Sequence, residues 1–195
     1  DKHNALSAQM IRELTQAAAQ LGADPTVRVV VLAAMGKSFC AGGDLGWMQE
    51  QMRADAATRR AGARELAMML NALNTLPKPL IGRVQGNAFG GGVGMISVCD
   101  VAIAVPEARL GLTETKLGLI PATIGPYVIR AMGPRASHRY FLTAERFSAA
   151  EARRIGFVHE VVPADQLDAT VSTWVQALLA ASPNAIKECK KLVQY

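Results

Sequence analysis

Two glycine-rich turns carry the chemistry that this sequence is able to do. They are Phe39-Cys40-Ala41-Gly42-Gly43-Asp44-Leu45 and Asn87-Ala88-Phe89-Gly90-Gly91-Gly92-Val93-Gly94-Met95. Each follows a strand-like apolar run, and the second leads into a helix-like one. Glycine lets the backbone approach a ligand with no side chain in the way. Two such turns that meet in space can aim two backbone N–H donors at one oxygen. That is the requirement for holding a developing oxyanion, such as a thioester enolate. One cluster alone would not establish this, because glycine clusters commonly serve only to turn the chain. The glycines do not spell a dinucleotide fingerprint. Gly90-Gly91-Gly92-Val93-Gly94 lacks its spacing, and no acidic residue closes a nearby strand.

The surrounding pattern predicts the elements that position these turns. Residues 7–21 read as an amphipathic helix with Met10, Ile11, Leu14 and Ala18 on one face, Ser7 as its N-cap and Gly22 as its end. Residues 27–32 are β-branched and read as a buried strand. A helix over 55–73 is broken by Pro77-Lys78-Pro79, and a strand over 80–84 feeds the second turn. A helix over 91–99 begins inside that turn, and a strand follows over 101–105. Residues 108–112 read as a short extended piece and 113–116 as a loop or helical turn. Helices are predicted over 124–132 and 134–142. Ser148 and Glu151 have capping-box spacing and open a helix that stops at Gly156. A strand over 157–162, a helix over 165–181 and a last helix from Pro183 complete the chain. Strand, glycine turn, helix occurs twice, at 27–73 and 80–99. This predicts an α/β fold built as a loosely repeated spiral, not a doubly wound sheet. Residues 1–195 read as a single domain, with a spiral core over about 1–132 and a helical region over about 133–195.

Composition narrows the function classes. The 195 residues suffice for a sizeable core. Half are hydrophobic and few are aromatic, a balance common in α/β proteins. Apolar stretches fall short of a membrane span, and no secretory signal pattern opens the chain. Cys40, Cys99 and Cys189 show no metal-binding spacing, so reduced thiols, a cytoplasmic location and no metal site are expected. The net charge of +5 and pI near 9.4 suit an anionic ligand, including one that carries phosphates. The basic residues are scattered, and no nucleic-acid-binding motif is present, so nucleic acid is not the expected partner.

The residues then point to a family. The chain resembles the crotonase, or enoyl-CoA hydratase/isomerase, superfamily essentially from end to end. The likeness is carried by Asn4-Ala5-Leu6-Ser7, the run 29–32, the two glycine turns, Pro77-Lys78-Pro79, Gly86, Cys99-Asp100, Leu117-Gly118-Leu119-Ile120-Pro121 and Ala149-Ala150-Glu151-Ala152 with Gly156. Within it, residues 90–119, 121–124 and 141–147 look most like bacterial hydratases of methylglutaconyl-CoA and isohexenylglutaconyl-CoA. The resemblance implies a spiral of ββα turns, a homotrimer or homohexamer, and an acyl-CoA thioester as substrate with no separate cofactor. It places the oxyanion donors at the N–H groups of Gly43 and Gly91, and the backbone of Ala41 and Leu45 near the CoA adenine.

The resemblance also places the acid–base groups. Well-known family hydratases use two glutamates. One position is Glu114 here. The other is Gly94, three residues after the donor glycine, so one carboxylate is absent. Three readings follow. Glu114 alone activates water and returns the proton, making the enzyme a hydratase. Alternatively it shuttles a proton between two carbons, as an isomerase requires. In the third, the oxyanion hole supports decarboxylation, or the chain only binds acyl-CoA or RNA. A small residue at Gly94 is expected to leave room for a second substituent on Cβ. Between its apolar neighbours, Glu114 is expected to have a raised pKa; the plainer alternative is a surface Glu paired with Lys116. Lys2 and Arg83 are candidates for the CoA phosphates, and Lys116 or Arg130 for a distal substrate carboxylate. Asp44 is expected to fix its turn, and Cys40 has no activating histidine nearby in sequence.

Overall fold

The computed structural model describes residues 2–194. Asp1 and Tyr195, the ends of the expected domain, lie outside the described residues. The first helix, α1 (Ala8–Ala23), starts at Ser7, whose hydroxyl accepts the Met10 N–H at 3.2 Å. It buries Ile11 and Ala18 against the core and half-buries Met10 and Leu14, the predicted face. Gly22 does not end it. It lies inside the last turn, where a Cβ would stand 3.2 Å from the Pro77 ring.

Then follow β1 (Val30–Ala33), β2 (Ser38–Cys40), α2 (Leu45–Arg53), α3 (Ala56–Asn74), β3 (Leu80–Val84), β4 (Asn87–Phe89), α4 (Gly91–Ser97), β5 (Val101–Ala104) and β6 (Arg109–Gly111). A 3-10 turn covers Glu114–Leu117. Beyond it lie α5 (Gly125–Thr143), β7 (Arg146–Ser148), α6 (Ala149–Arg154), β8 (Glu160–Val161), α7 (Leu167–Ala180) and α8 (Pro183–Gln194). Strand β1 starts later than its β-branched run because its partner starts there: Val30 pairs with Leu80, and its N–H reaches Pro79 O at 2.9 Å. Strand β8 is shorter than 157–162 because Phe157 and Val158 donate back to Ala152 O, closing α6.

The strands form two four-stranded sheets, β1-β3-β5-β8 and β2-β4-β6-β7. All neighbours are parallel except β6 and β7. From β1 to β6, successive strands alternate between the sheets. Each turn of the chain thus gives one strand to each sheet before a helix returns it, which is a spiral of strand pairs. Leu80, Ile81, Ala102, Ile103, Ala104 and Leu110 are buried between sheets and helices. The spiral stacks the two glycine turns on each other, because β2 and β4, which lead into them, are adjacent in the second sheet.

Candidate active site

Leu6 fixes the first glycine turn. It forms a parallel bridge with Gly43, accepting the Asp44 N–H at 2.9 Å and donating its own N–H to Gly42 O at 2.7 Å. The bridge uses the backbone on either side of Gly43 and leaves the Gly43 N–H facing away from Leu6. In the second turn, Gly90 sits at φ 47° and ψ −113°, a conformation that an L side chain strains to adopt. Its N–H is tied to Gly111 O at 2.9 Å. Gly91 then opens α4, so its N–H has no partner inside the helix. Neither the Gly43 nor the Gly91 N–H donates to a protein acceptor among the described residues.

The two turns touch. A Cβ on Gly42 would lie 3.1 Å from Phe89 O and 4.0 Å from Gly90 Cα. A Cβ on Gly92 would lie 2.6 Å from Cys40 O, and one on Gly91 would lie 2.5 Å from Leu6 Cδ1. Gly42 and Gly92 meet backbone and Gly91 meets the Leu6 side chain, with no space for a further side chain at any of the three. The spiral therefore brings Gly43 and Gly91, the two donors that the family resemblance implies, into adjoining turns.

Glu114 stands over the same place. Its Oε1 lies 3.0 Å from the Cβ position of Gly90. Its Oε2 is buried without a hydrogen-bond partner among the described residues. Burial pushes the carboxyl above the ordinary glutamate range, because the charged form loses its hydration. No ion pair joins it to Lys116, which is exposed, so the surface-pair alternative is corrected. An unpartnered buried carboxyl oxygen is costly unless a ligand, water or proton satisfies it.

The expected room at Gly94 is also corrected. A Cβ there would lie 2.5 Å from Ile124 Cγ2, 3.0 Å from Ile124 Cβ and 3.7 Å from Leu70 Cδ2. The Ile124 side chain fills that space and is only 4% exposed. Nothing in the sequence around Pro121 signalled this contact, because it depends on how the loop before α5 folds back onto α4.

The remaining candidates divide. Ala41 and Leu45 are exposed beside the first turn; Ala41 donates its N–H to His3 O at 3.0 Å. Asp44 fixes its turn as expected, capping α2 by accepting the Trp47 N–H at 3.0 Å. That bond, with the Lys2 ammonium at 3.0 Å, holds its carboxyl below the usual range. Lys2 is therefore engaged with Asp44, although its side chain remains largely open to solvent. Arg83 is not at the site, being paired with Asp168 of α7 at 2.5 Å. Arg130 donates to Asn74 Oδ1. Cys40 is buried, and burial pushes its thiol up to about 11, which makes it a poor nucleophile. Among the described residues, no group of three or more His, Cys, Asp or Glu converges as metal ligands would. No helix among them is long and apolar enough to cross a membrane.

Known proteins share this architecture. An enoyl-CoA hydratase from Shewanella pealeana superimposes over the whole chain and 72% of its own, with a TM-score of 0.97 and 45% identity. Pseudomonas aeruginosa AtuE matches over 98% of this chain and 75% of its own, with a TM-score of 0.95 and 38% identity. In sequence, an enoyl-CoA hydratase of Alternaria alternata is 34% identical over the whole chain, which spans 63% of that relative's length. A family model described as enoyl-CoA hydratase/isomerase matches residues 1–195. With the spiral of strand pairs, the apposed glycine turns and these likenesses together, the chain belongs to the enoyl-CoA hydratase/isomerase family.

Proposed function

We propose that the chain is an acyl-CoA hydratase that works with a single carboxylate. The observation that carries this reading is Glu114, whose buried, unpartnered oxygen stands against Gly90 where the two glycine turns meet. The thioester oxygen accepts the N–H groups of Gly43 and Gly91. Each such donor is worth about 3 kcal/mol once charge develops on that oxygen. Glu114 takes a proton from water as its oxygen bonds to Cβ of the α,β-unsaturated acyl group. The electron pair of the double bond moves to the enolate oxygen. Glu114 then returns the proton to Cα, so water is added across the bond and the carboxylate is regenerated. Ala41 and Leu45 flank the CoA adenine in this reading. Lys2, with one of its three ammonium N–H groups on Asp44 and its side chain largely open to solvent, remains available to a CoA phosphate.

The proposed substrate is 3-methylglutaconyl-CoA or a similar branched acyl-CoA. That choice rests on sequence likeness and not on open space at Gly94. The proposed assembly is a homotrimer or homohexamer. The same single carboxylate favours a second reading, an isomerase in which Glu114 carries a proton between two carbons. Chromatography of products from 3-methylglutaconyl-CoA, crotonyl-CoA and a 3-enoyl-CoA separates the two. Hydrated product is the expected result, and double-bond migration alone would sink the hydratase reading. Glu114→Gln is expected to lower kcat by roughly 10²–10⁴-fold. Unchanged turnover in that variant would remove Glu114 from the mechanism.

A further inference from the structure

We infer that Ile124 is a specificity-determining residue, limiting the substituent that the acyl Cβ can carry. The inference deepens the proposed function and rests on its placement of the thioester. Gly90 and Gly94 lie one turn apart, with the Gly94 N–H on Gly90 O at 3.1 Å. Glu114 stands over the first of them and Ile124 over the second. Glu114 thus meets the entry of α4 at Gly90, and Ile124 meets the same helix one turn further on at Gly94. An acyl Cβ within reach of Glu114 directs any further substituent either back toward the glycine turns or onward along α4. The onward side is occupied by Ile124 Cγ2, with Leu70 Cδ2 behind it.

Gly94 is thus small without being spacious. The absent side chain at 94 and the branched one at 124 are two halves of one packing solution. Shortening Ile124 opens a pocket bounded by Gly94 and Leu70. Ile124 makes the two nearest contacts to the Gly94 Cβ position, at 2.5 and 3.0 Å, so it is the side chain whose shortening frees most space there. An apolar pocket distinguishes ligands that differ by one methyl group by roughly 10–200-fold, so the effect is measurable.

The test compares two saturated ligands, butyryl-CoA and isovaleryl-CoA, which differ by one methyl on Cβ. Their Kd values are measured by titration calorimetry on the full chain as wild type, Ile124→Val and Ile124→Ala. The expected result is a shift of the isovaleryl-to-butyryl affinity ratio toward the branched ligand. It should reach roughly tenfold in Ile124→Ala, with Ile124→Val in between. An unchanged ratio in both variants would overturn the inference. Should Ile124→Ala fail to fold, the direction of the shift in Ile124→Val decides. Ligand binding without turnover of any enoyl-CoA would defeat the hydratase reading and leave the ratio to decide this one. Failure of wild type to bind either ligand would overturn both.

Discussion

At the scale of single residues, the carboxyl of Glu114 sets stability against activity. Burial raises its pKa, so the folded chain holds this proton more tightly than the unfolded chain does. Between the unfolded value, about 4.3, and the raised folded value, the unfolded state binds fewer protons. Stability therefore falls as pH rises through that window, and the loss persists above it. Glu114→Gln removes the penalty. It should melt higher than wild type at neutral pH and lose that advantage below about pH 4, where both carry a neutral side chain. Activity runs the other way. As a base, Glu114 must be ionised, so the acid limb of kcat/KM should lie above that of an exposed glutamate. Thermal melts and a pH–rate profile check both signs; a Gln variant less stable at pH 7 would contradict the burial argument. A second residue-scale prediction concerns Gly94. Gly94→Ala forces a methyl onto Ile124 and should cost about 1–3 kcal/mol. In an Ile124→Ala background the same change should cost clearly less, and a double-mutant cycle by urea denaturation measures that coupling.

At the scale of elements, the sequence speaks where one element decides its own fate. Ser7 and Ser148 cap helices whose starts depend on local hydrogen bonds, and both hold in the structure. The partner half of the Ser148 box does not form. Glu151 instead accepts the Tyr140 hydroxyl at 2.8 Å and Arg154 at 2.6 Å, a choice made by tertiary neighbours. Four strands, β2, β4, β6 and β7, have three residues each; β6 is legible inside the apolar run 108–112, whereas β2, β4 and β7 lack such a run and take their pairing from other parts of the chain. Helix α2 was hidden because none of its residues is fully buried and its inward side is short, with Trp47, Met48 and Gln51 only half-buried. The candidate site divides in the same way. Gly43, Gly91 and Glu114 are placed by the motifs that carry the family resemblance, whereas Ile124 becomes visible only once α5 packs against α4. The break predicted between 132 and 134 is real and rests on Gly133, at φ 77° and ψ 160° inside α5. Among the described residues no atom outside its chain neighbours and its own helix backbone lies within 4 Å of its Cβ position, so tertiary crowding is not the constraint. Gly133→Ala should still destabilise by about 1–3 kcal/mol, because that backbone region is nearly closed to other residues. Chemical denaturation tests this, and a neutral result would mean the break relaxes to a regular helix.

At the scale of the whole molecule, the C-terminal helix shows how unevenly the fold is held. Most of α8 is exposed, with only Ile186 and Lys190 half-buried among its described side chains. The Lys190 side chain is 9% exposed. Its ammonium reaches Asp100 Oδ2 at 2.7 Å and Lys78 O at 3.1 Å. Asp100 Oδ2 also accepts the Leu80 N–H at 2.7 Å, at the start of β3. One ion pair thus fastens α8 to the N-terminal ends of β3 and β5, the central strands of the first sheet, with little apolar burial beside it. Removing one partner from such a pair leaves a charge short of compensation. The cost would be about 3–5 kcal/mol if the pair were fully buried. Asp100 keeps a third of its side chain in solvent, so water repays part of this, and Lys190→Met should cost about 1–2 kcal/mol. The loss should be local before it is global, because a segment with few buried contacts opens at lower free energy than the core. Hydrogen exchange in Lys190→Met should therefore quicken across 183–194 while β3 and β5 keep their protection. Uniform acceleration through the sheets would show instead that α8 and the spiral unfold as one unit. In that event the Lys190–Asp100 pair would be part of what holds Leu80 in register, and Asp100→Asn alone should reproduce the effect.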